Sequence, residues 1–260
     1  RLIMGKTRNI FEEVTADKSS VNQPKSGIIN NERDNWRNSV LVWLKILFAM
    51  VIAMVIVGGL TRLTDSGLSI TEWNVIKGAL PPLNDAAWIL EFDKYKTIPE
   101  YQLQNKGMAL SDFKVIYWWE WGHRQLGRLV GLVWLLGFLY LIIFNKIPMT
   151  WKYRMLLVGI LGGLQGTIGW WMVSSGLSGR MVDVASYRLA THLGLAFIIL
   201  GTLFWFIMKL GRPEVELLQS RRLRDKKSVR WTTLLLILTF AQILLGALVA
   251  GIDAGRSYID

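Results

Sequence analysis

The two histidines of this chain are the residues best suited to do chemistry. His123 lies in the sequence E-W-G-H-R, and His192 lies in Y-R-L-A-T-H-L-G; each stands at the start of a long apolar segment. An imidazole in a membrane span is costly without a partner, so such a residue is typically functional. In a bis-histidine site the haem iron binds two imidazoles, and a helix bundle can present them from facing helices. The pair therefore predicts a bis-histidine haem site; the alternative is two unrelated interfacial histidines bonded to backbone.

Three arginines lie next to these histidines. Arg124 and Arg128 flank His123, and Arg188 lies one helical turn before His192 on the same face. Haem propionates need charge-assisted partners of this kind at the edge of a membrane. We therefore expect the arginines to bind the cofactor; the alternative for each is contact with lipid phosphate.

Glu120 lies three residues before His123 and so on the same helix face. A carboxylate there could orient the imidazole, relay protons or stabilise a charged intermediate. The pattern makes Glu120, His123 and His192 the candidate catalytic residues. The alternative role for Glu120 is that of an interfacial acid paired with Arg124.

Five apolar segments must position these side chains. Each is long enough to cross a bilayer, which takes about 20 residues. They lie at about 40–60, 126–144, 155–173, 189–208 and 231–252. With 52% hydrophobic residues among 260, the sequence predicts an all-α polytopic membrane protein, against the alternative of a soluble all-α protein. The 260 residues include no cysteine, which excludes thiolate haem ligation and iron–sulfur clusters within them.

The net charge of +11 is concentrated in the loops. Eight Lys or Arg lie between Lys209 and Arg230, against three acids. The loop between the second and third spans adds Lys146, Lys152 and Arg154. The positive-inside rule places both loops and the N-terminus inside, so both histidines lie near the outer face. The basic excess indicates contact with anionic lipid, not with nucleic acid.

The first and fifth spans resemble each other. An offset of 188 residues places Trp43 on Trp231 and Gly58 on Gly246, and D-x-G-x-S at 65–69 falls on 253–257. We interpret this as an internal duplication. A four-helix transmembrane bundle then forms one repeat, and the fifth helix opens a second repeat that is incomplete within these residues.

The predicted organisation follows from these segments. It consists of a polar inside-facing tail at 1–39, a haem-binding bundle at 40–210 with an external loop at 61–119, a basic inside loop at 211–230, and the first helix of the second repeat at 231–260. In the external loop, Asn84 or Asp85 could cap a short amphipathic helix that roofs the outer mouth of the bundle. Its apolar residues would be Trp88, Ile89, Phe92 and Tyr95. The alternative is a plain surface loop.

Six motifs in this order carry a family resemblance. They are G-G-L-T-R-L-T-D-S-G-L-S at 58–69, W-x-x-I-K-G-x-x-P-P at 73–82, E-W-G-H-R-x-x-G-R-L-V-G at 120–131, Q-G-x-x-G-W-x-M-V-x-S-G-L at 165–177, Y-R-L-A-T-H-L-G at 187–194 and L-G-A-L-V-A-G-I-D-A-G at 245–255. From about residue 40 onward the chain resembles haem A synthases of the mitochondrial and alphaproteobacterial type. The resemblance implies eight helices in two four-helix halves, and oxidation of the C8 methyl of haem O to the formyl of haem A for cytochrome oxidase.

The resemblance also implies roles and partners. Glu120, His123 and His192 would hold the substrate haem, and a second haem, haem B, would bind a histidine pair with no counterpart in these residues. A ferredoxin-type electron donor is implied, as is association with haem O synthase or with further copies of the chain. The implied location is the mitochondrial inner membrane or the alphaproteobacterial plasma membrane. From the residues alone, a b-type electron-transfer or haem-carrier module without methyl oxidation fits equally well, and an inactive form that assembles with longer partners is a third possibility.

Overall fold

The computed structural model describes residues 29–145, 147–179 and 181–254, and within them the chain is all-helical. The helices are α1 (Ile29–Leu63), α2 (Asp85–Tyr95), α3 (Pro99–Leu103), α4 (Leu110–Phe144), α5 (Met149–Val173), α6 (Ser186–Gly211), α7 (Glu214–Arg222) and α8 (Lys226–Ala250), with a short 3-10 turn at Lys77–Ala79. Residues 1–28 of the predicted tail, Lys146, and the last six residues of the second repeat lie outside the described part.

Five helices are long and apolar enough to cross a membrane, as the sequence predicted. They are α1 from Trp36, α4, α5, α6 and α8. Two boundaries differ from the prediction. The first helix begins at Ile29, within the predicted tail, and α4 begins at Leu110, within the predicted external loop. The hydropathy pattern missed the start of α4 because the polar residues of E-W-G-H-R are part of the helix.

Four of the helices form a ring. α1 packs along α4 and α6, and α5 packs along the same two helices. α4 therefore lies diagonally opposite α6, so side chains on these two helices can meet across the centre of the bundle. α8 packs on α6 at the outside of the ring.

The buried apolar residues form two separate clusters. The first lies in the half of the bundle that contains Leu44, Met155 and Leu203. The second lies at the end covered by the 64–109 segment, which we call the capped end; its members are Leu68, Trp88, Phe92, Tyr95, Ile98, Phe113, Tyr117 and Val184. In α4, which is described throughout, no residue between Glu120 and Leu141 is fully buried. The level of His123 therefore lies between two well-packed regions.

The predicted amphipathic helix of the 64–109 segment is confirmed as α2. The side chain of Asn84 caps it by accepting a hydrogen bond from the backbone N–H of Ala87 at 2.8 Å. Trp88, Phe92 and Tyr95 are buried, whereas Ile89 is half exposed. The buried face packs on the first turns of α4, so α2 covers this end of the bundle.

Glu100 of α3 is a buried carboxyl group at the capped end. It is only 4% exposed, and its Oε2 atom has no hydrogen-bond partner among the described residues. Burial raises the pKa of Glu100 to about 8, and the negative charges of Asp183, Glu120 and Asp65 add to the effect while Arg62 opposes it. The group is therefore mostly protonated in the folded protein at neutral pH.

This raised pKa predicts how stability depends on pH. The folded protein holds the Glu100 proton up to about pH 8, whereas an exposed glutamate loses it near 4.5. The contribution of Glu100 to the free energy of unfolding therefore falls as the pH rises from 4.5 to about 8. We expect Glu100→Gln to show a smaller fall in melting temperature between pH 5.5 and 8.5 than the unmodified protein. Asp93→Asn, which removes an exposed acid paired with Lys96, is the control and should leave the slope unchanged. An unaltered slope in Glu100→Gln would contradict the assignment.

Candidate functional site

The two predicted histidines lie on helices that face each other across the bundle. His123 lies on α4 and His192 on α6, the diagonally opposed helices. His123 lies more than three turns inside its helix and His192 fewer than two, because α4 extends further toward the capped end. Both side chains are partly buried.

A glycine of a neighbouring helix makes room for each imidazole ring. A Cβ atom on Gly58 of α1 would lie 3.2 Å from Nε2 of His123. A Cβ atom on Gly169 of α5 would lie 2.9 Å from Cε1 of His192. The four helices of the ring thus contribute two imidazoles and two positions without side chains. Two imidazoles on facing helices form a donor set of the kind that a haem iron binds.

Gly169 gives a direct test of this fit. An alanine there would overlap the His192 ring and push it from its position, at a cost of about 1–3 kcal/mol for overpacking. We expect Gly169→Ala to weaken haem affinity about tenfold or more. Gly166→Ala on the same helix is the matched control, because its Cβ would meet nothing within 4 Å. Haem titration of both purified variants is the measurement, and equal affinities would contradict the proposed packing.

Gln165 also contacts His192, and sequence reasoning did not select it. It lies one turn before Gly169 on α5, and its Nε2 atom donates to the backbone oxygen of His192 at 3.0 Å. The same Nε2 atom lies 3.2 Å from Nδ1 and 3.4 Å from Nε2 of the imidazole. The signal in the sequence was a lone amide inside an apolar, glycine-rich span, where polar side chains face protein partners.

The Glu120 carboxylate is held by donors from both sides. Its Oε2 atom accepts hydrogen bonds from the Ser69 hydroxyl and the Ile70 backbone N–H, both at 2.7 Å. Its Oε1 atom accepts from Nε and Nη2 of Arg124, at 3.0 and 2.5 Å. Glu120 is 3% exposed. Glu120 is therefore a buried carboxylate in a fixed position, on the same helix face as His123. The ion pair with Arg124, which was the alternative role considered from the sequence, is present in the structure.

Arg124 and Arg128 bind the chain segment that follows α1. Arg124 donates to the backbone oxygens of Ile70 and Glu72 at 2.8 and 2.9 Å, and its guanidinium lies 5.9 Å from the ring centre of Trp170. Arg128 donates to the backbone oxygens of residues 74 and 75 and to Gln125 Oε1. All three nitrogens of each guanidinium take part. Both arginines thus anchor the 70–79 segment to α4.

Arg188 lies on the other side of the capped end. Its Nη1 atom donates to the backbone oxygen of Trp171 at 2.6 Å, and its Nε atom donates to the Tyr187 hydroxyl at 3.2 Å. The guanidinium also lies 4.6 Å from the Trp171 ring centre. These contacts use two of its three nitrogens.

Arg62 is a second residue that sequence reasoning did not select. It contacts Asp65, Asp183 and Asp253, at 3.4, 2.9 and 2.9 Å, and also donates to the Ala250 backbone oxygen at 3.0 Å. These groups come from the end of α1, the α5–α6 loop and the end of α8. Arg62 therefore ties the fifth helix to the four-helix bundle.

The ends of the first and fifth spans share a backbone feature. Asp65 and Asp253, which the 188-residue offset aligns, both have left-handed backbone conformations, with φ of 47° and 50°. Few residues other than glycine adopt this conformation. The match supports the interpretation of the two helices as repeats of one unit.

The fold and the site define a class: a polytopic helical membrane protein with two histidines on diagonally opposed helices. The family model described as COX15-CtaA, cytochrome oxidase assembly protein, matches residues 41–260. The chain belongs to this family. A heme A synthase of Dinoroseobacter shibae is 60% identical over 258 residues, which cover 99% of this chain and 67% of the relative. One of Ruegeria sp. strain TM1040 is 60% identical over 255 residues, covering 97% and 67%.

A third relative extends the comparison to another genus. A heme A synthase of Cereibacter sphaeroides (strain ATCC 17029) is 57% identical over 253 residues, covering 97% of this chain and 64% of the relative. The chain thus spans about two thirds of the length of these curated relatives. No solved structure matched the chain significantly.

Proposed function

We propose that this protein is a haem A synthase, an enzyme that converts haem O to haem A for the assembly of cytochrome oxidase. Relatives of that name align with nearly all of the chain. The observation that carries the proposal within the structure is the histidine pair on α4 and α6, with glycines of α1 and α5 beside the rings. The reaction oxidises a methyl group at the edge of the porphyrin to a formyl group.

His123 and His192 are the proposed iron ligands of the substrate haem. The two imidazoles would hold the haem from facing helices and position it without direct contact to the reacting carbon.

Glu120 is the proposed catalytic carboxylate. Four donors hold it in one orientation, and it lies one helical turn from His123 on the same face. A carboxylate fixed beside a bound haem would stabilise positive charge and offer an acceptor for a proton. Ser69 and Arg124 act through Glu120 and are positioning residues in this proposal.

The three predicted arginines take different roles. Arg188 is the best suited to bind a propionate, because its described contacts leave one guanidinium nitrogen for a further partner. Arg124 and Arg128 would reach a propionate only by sharing N–H groups that already bind backbone oxygens. We therefore assign them mainly to the 70–79 segment, which covers the site.

The proposed topology places the capped end outside and the N-terminus inside. The basic residues between α6 and α8 then face anionic lipid on the inner side. Because the curated relatives are alphaproteobacterial, the bacterial plasma membrane is the proposed location. We further propose a ferredoxin-type reductant, a haem B site formed by a second four-helix unit that α8 opens, and contact with haem O synthase or with a second copy.

Pigment analysis tests this function directly. The protein expressed from its complete gene, in cells that make haem O, should carry haem O or haem A when purified. Expression in a strain that lacks its own haem A synthase should restore haem A. Haem B as the only extracted pigment, without restoration, would favour the haem-carrier alternative instead.

A further inference from the structure

We propose that Gln165 is a positioning residue for His192: its side-chain oxygen accepts the Nδ1 proton of the imidazole when the Nε2 atom binds iron. The proposal rests on the proposed function, because it takes His192 as an iron ligand. It adds a residue of α5 to a site whose ligands lie on α4 and α6.

The geometry places the Gln165 amide directly against the His192 ring. Its Nε2 atom is 3.2 Å from Nδ1 and 3.4 Å from the ring Nε2, and the bond from this atom to the His192 backbone oxygen holds the amide at the ring. Gly169, one turn along α5, lies against the same ring at Cε1. α5 therefore contacts one imidazole through two residues on one face.

The other end of this amide group is unsatisfied. Gln165 Oε1 is buried and has no hydrogen-bond partner among the described residues. A buried acceptor without a partner destabilises the folded protein. Such an atom beside a candidate metal ligand needs an explanation. A hydrogen-bond donor that forms only when His192 binds iron would explain why this oxygen is buried here.

Metal ligation of His192 creates that donor. A neutral imidazole carries one proton, so binding iron through Nε2 leaves the proton on Nδ1. Ligating histidines nearly always donate this second N–H to a carbonyl or carboxylate oxygen. The terminal torsion of a glutamine is broad and roughly two-fold, so a half-turn of the amide exchanges Nε2 and Oε1 and places Oε1 at the imidazole. This half-turn gives up the bond from Nε2 to the His192 backbone oxygen and replaces it with the bond from the ring N–H.

An acceptor at Nδ1 has two measurable consequences. It fixes the ring orientation, and removing such a partner typically costs about 10- to 100-fold in metal affinity. It also makes the imidazole more basic, which stabilises ferric over ferrous iron and lowers the reduction potential. A purely structural role of Gln165 in helix packing would not shift the potential in a direction set by the acceptor strength.

The test uses the protein expressed from its complete gene, with Gln165→Leu and Gln165→Glu as variants. Thr167→Val, two residues along α5 on its exposed side, is the matched control. Haem affinity is measured by titration, and the potential by spectroelectrochemistry of the signal that His192→Ala removes. We expect Gln165→Leu to bind haem roughly 10- to 100-fold more weakly and to have a raised potential. Gln165→Glu should restore the affinity and lower the potential below that of the unmodified protein, and the control should match the unmodified protein.

Each contrary outcome has its own meaning. Unchanged affinity and potential in both Gln165 variants, with the haem signal lost in His192→Ala, would overturn the role of Gln165 and leave the proposed function standing. A haem signal in His192→Ala that equals that of the unmodified protein would overturn the ligand assignment and this proposal with it. If Gln165→Leu does not fold, the potential of Gln165→Glu decides, and an unchanged value overturns the proposal.

Discussion

Replacing Glu120 with alanine is expected to abolish most haem A production while haem binding persists. Glu120 lies on the helix face of His123 but too close to it along α4 to be the opposing ligand. Removal of a positioned acid–base group costs about 100-fold or more in rate. The substitution also removes the acceptor shared by Ser69, Ile70 and Arg124. Both effects act one helical turn from His123 and should leave the two imidazoles in place.

Further variants separate a catalytic role of Glu120 from its role as the hydrogen-bond acceptor that holds Ser69, Ile70 and Arg124. Glu120→Gln keeps an acceptor for the Ser69 hydroxyl and the Ile70 N–H but lacks the charge that pairs with Arg124. Ser69→Ala keeps the charge and loses one donor. We expect haem A yields in the order unmodified, Ser69→Ala, Glu120→Gln, Glu120→Ala, measured by chromatography of pigments from a strain without its own enzyme. Glu91→Gln, which breaks an ion pair with Lys94 elsewhere at the capped end, is the control and should give a normal yield. A normal haem A yield from Glu120→Ala would rule out the catalytic role.

The helical spans were predictable from the sequence because lipid imposes a strong constraint. Each span must be apolar over about 20 residues, and this leaves a hydropathy signal that does not depend on tertiary contacts. The short helix α2 was predictable for a local reason, namely the Asn84 cap followed by apolar residues at helical spacing. The start of α4 at Leu110 was not, because its polar residues are satisfied by contacts that only the fold provides.

The two histidines could be predicted from the sequence, whereas the partners of the arginines could not. Residue chemistry and depth were enough to select His123 and His192, and the ring of helices places them on diagonal members. The arginines were selected by proximity in sequence, which does not reveal their partners. Arg124 and Arg128 turned out to bind backbone oxygens of the 70–75 segment, about 50 residues away along the chain. Such contacts depend on the loop path, which hydropathy does not predict.

Arg62 and Gln165 were missed for a related reason. Arg62 lies at the end of a span, where a basic residue is common and is usually solvated. Its three aspartate partners come from three separate segments, so the cluster exists only in the folded chain. Gln165 lies among glycines, which in a membrane span are typical of close helix packing, so the sequence did not indicate a role for it in the site. Its importance depends on a buried oxygen that has no partner among the described residues, which only the structure reveals.

Loss of either histidine is expected to have the largest effect on the site. A ligand removed from iron costs more affinity than the roughly 10- to 100-fold that an outer partner contributes. His123→Ala and His192→Ala should therefore each lose haem O and haem A from the purified protein. The bundle itself should stay folded, because the apolar cluster around Leu44 and Leu203 packs a different part of it.

We propose that His123 and His192 jointly ligate one haem. This is tested by the Soret and α-band spectrum of the protein expressed from its complete gene, together with chromatography of its extracted haem, for the unmodified form and both alanine variants. We expect a low-spin bis-imidazole spectrum in the unmodified protein and loss of the haem O or haem A contribution in each variant. Unchanged spectra and pigments in both variants would contradict it.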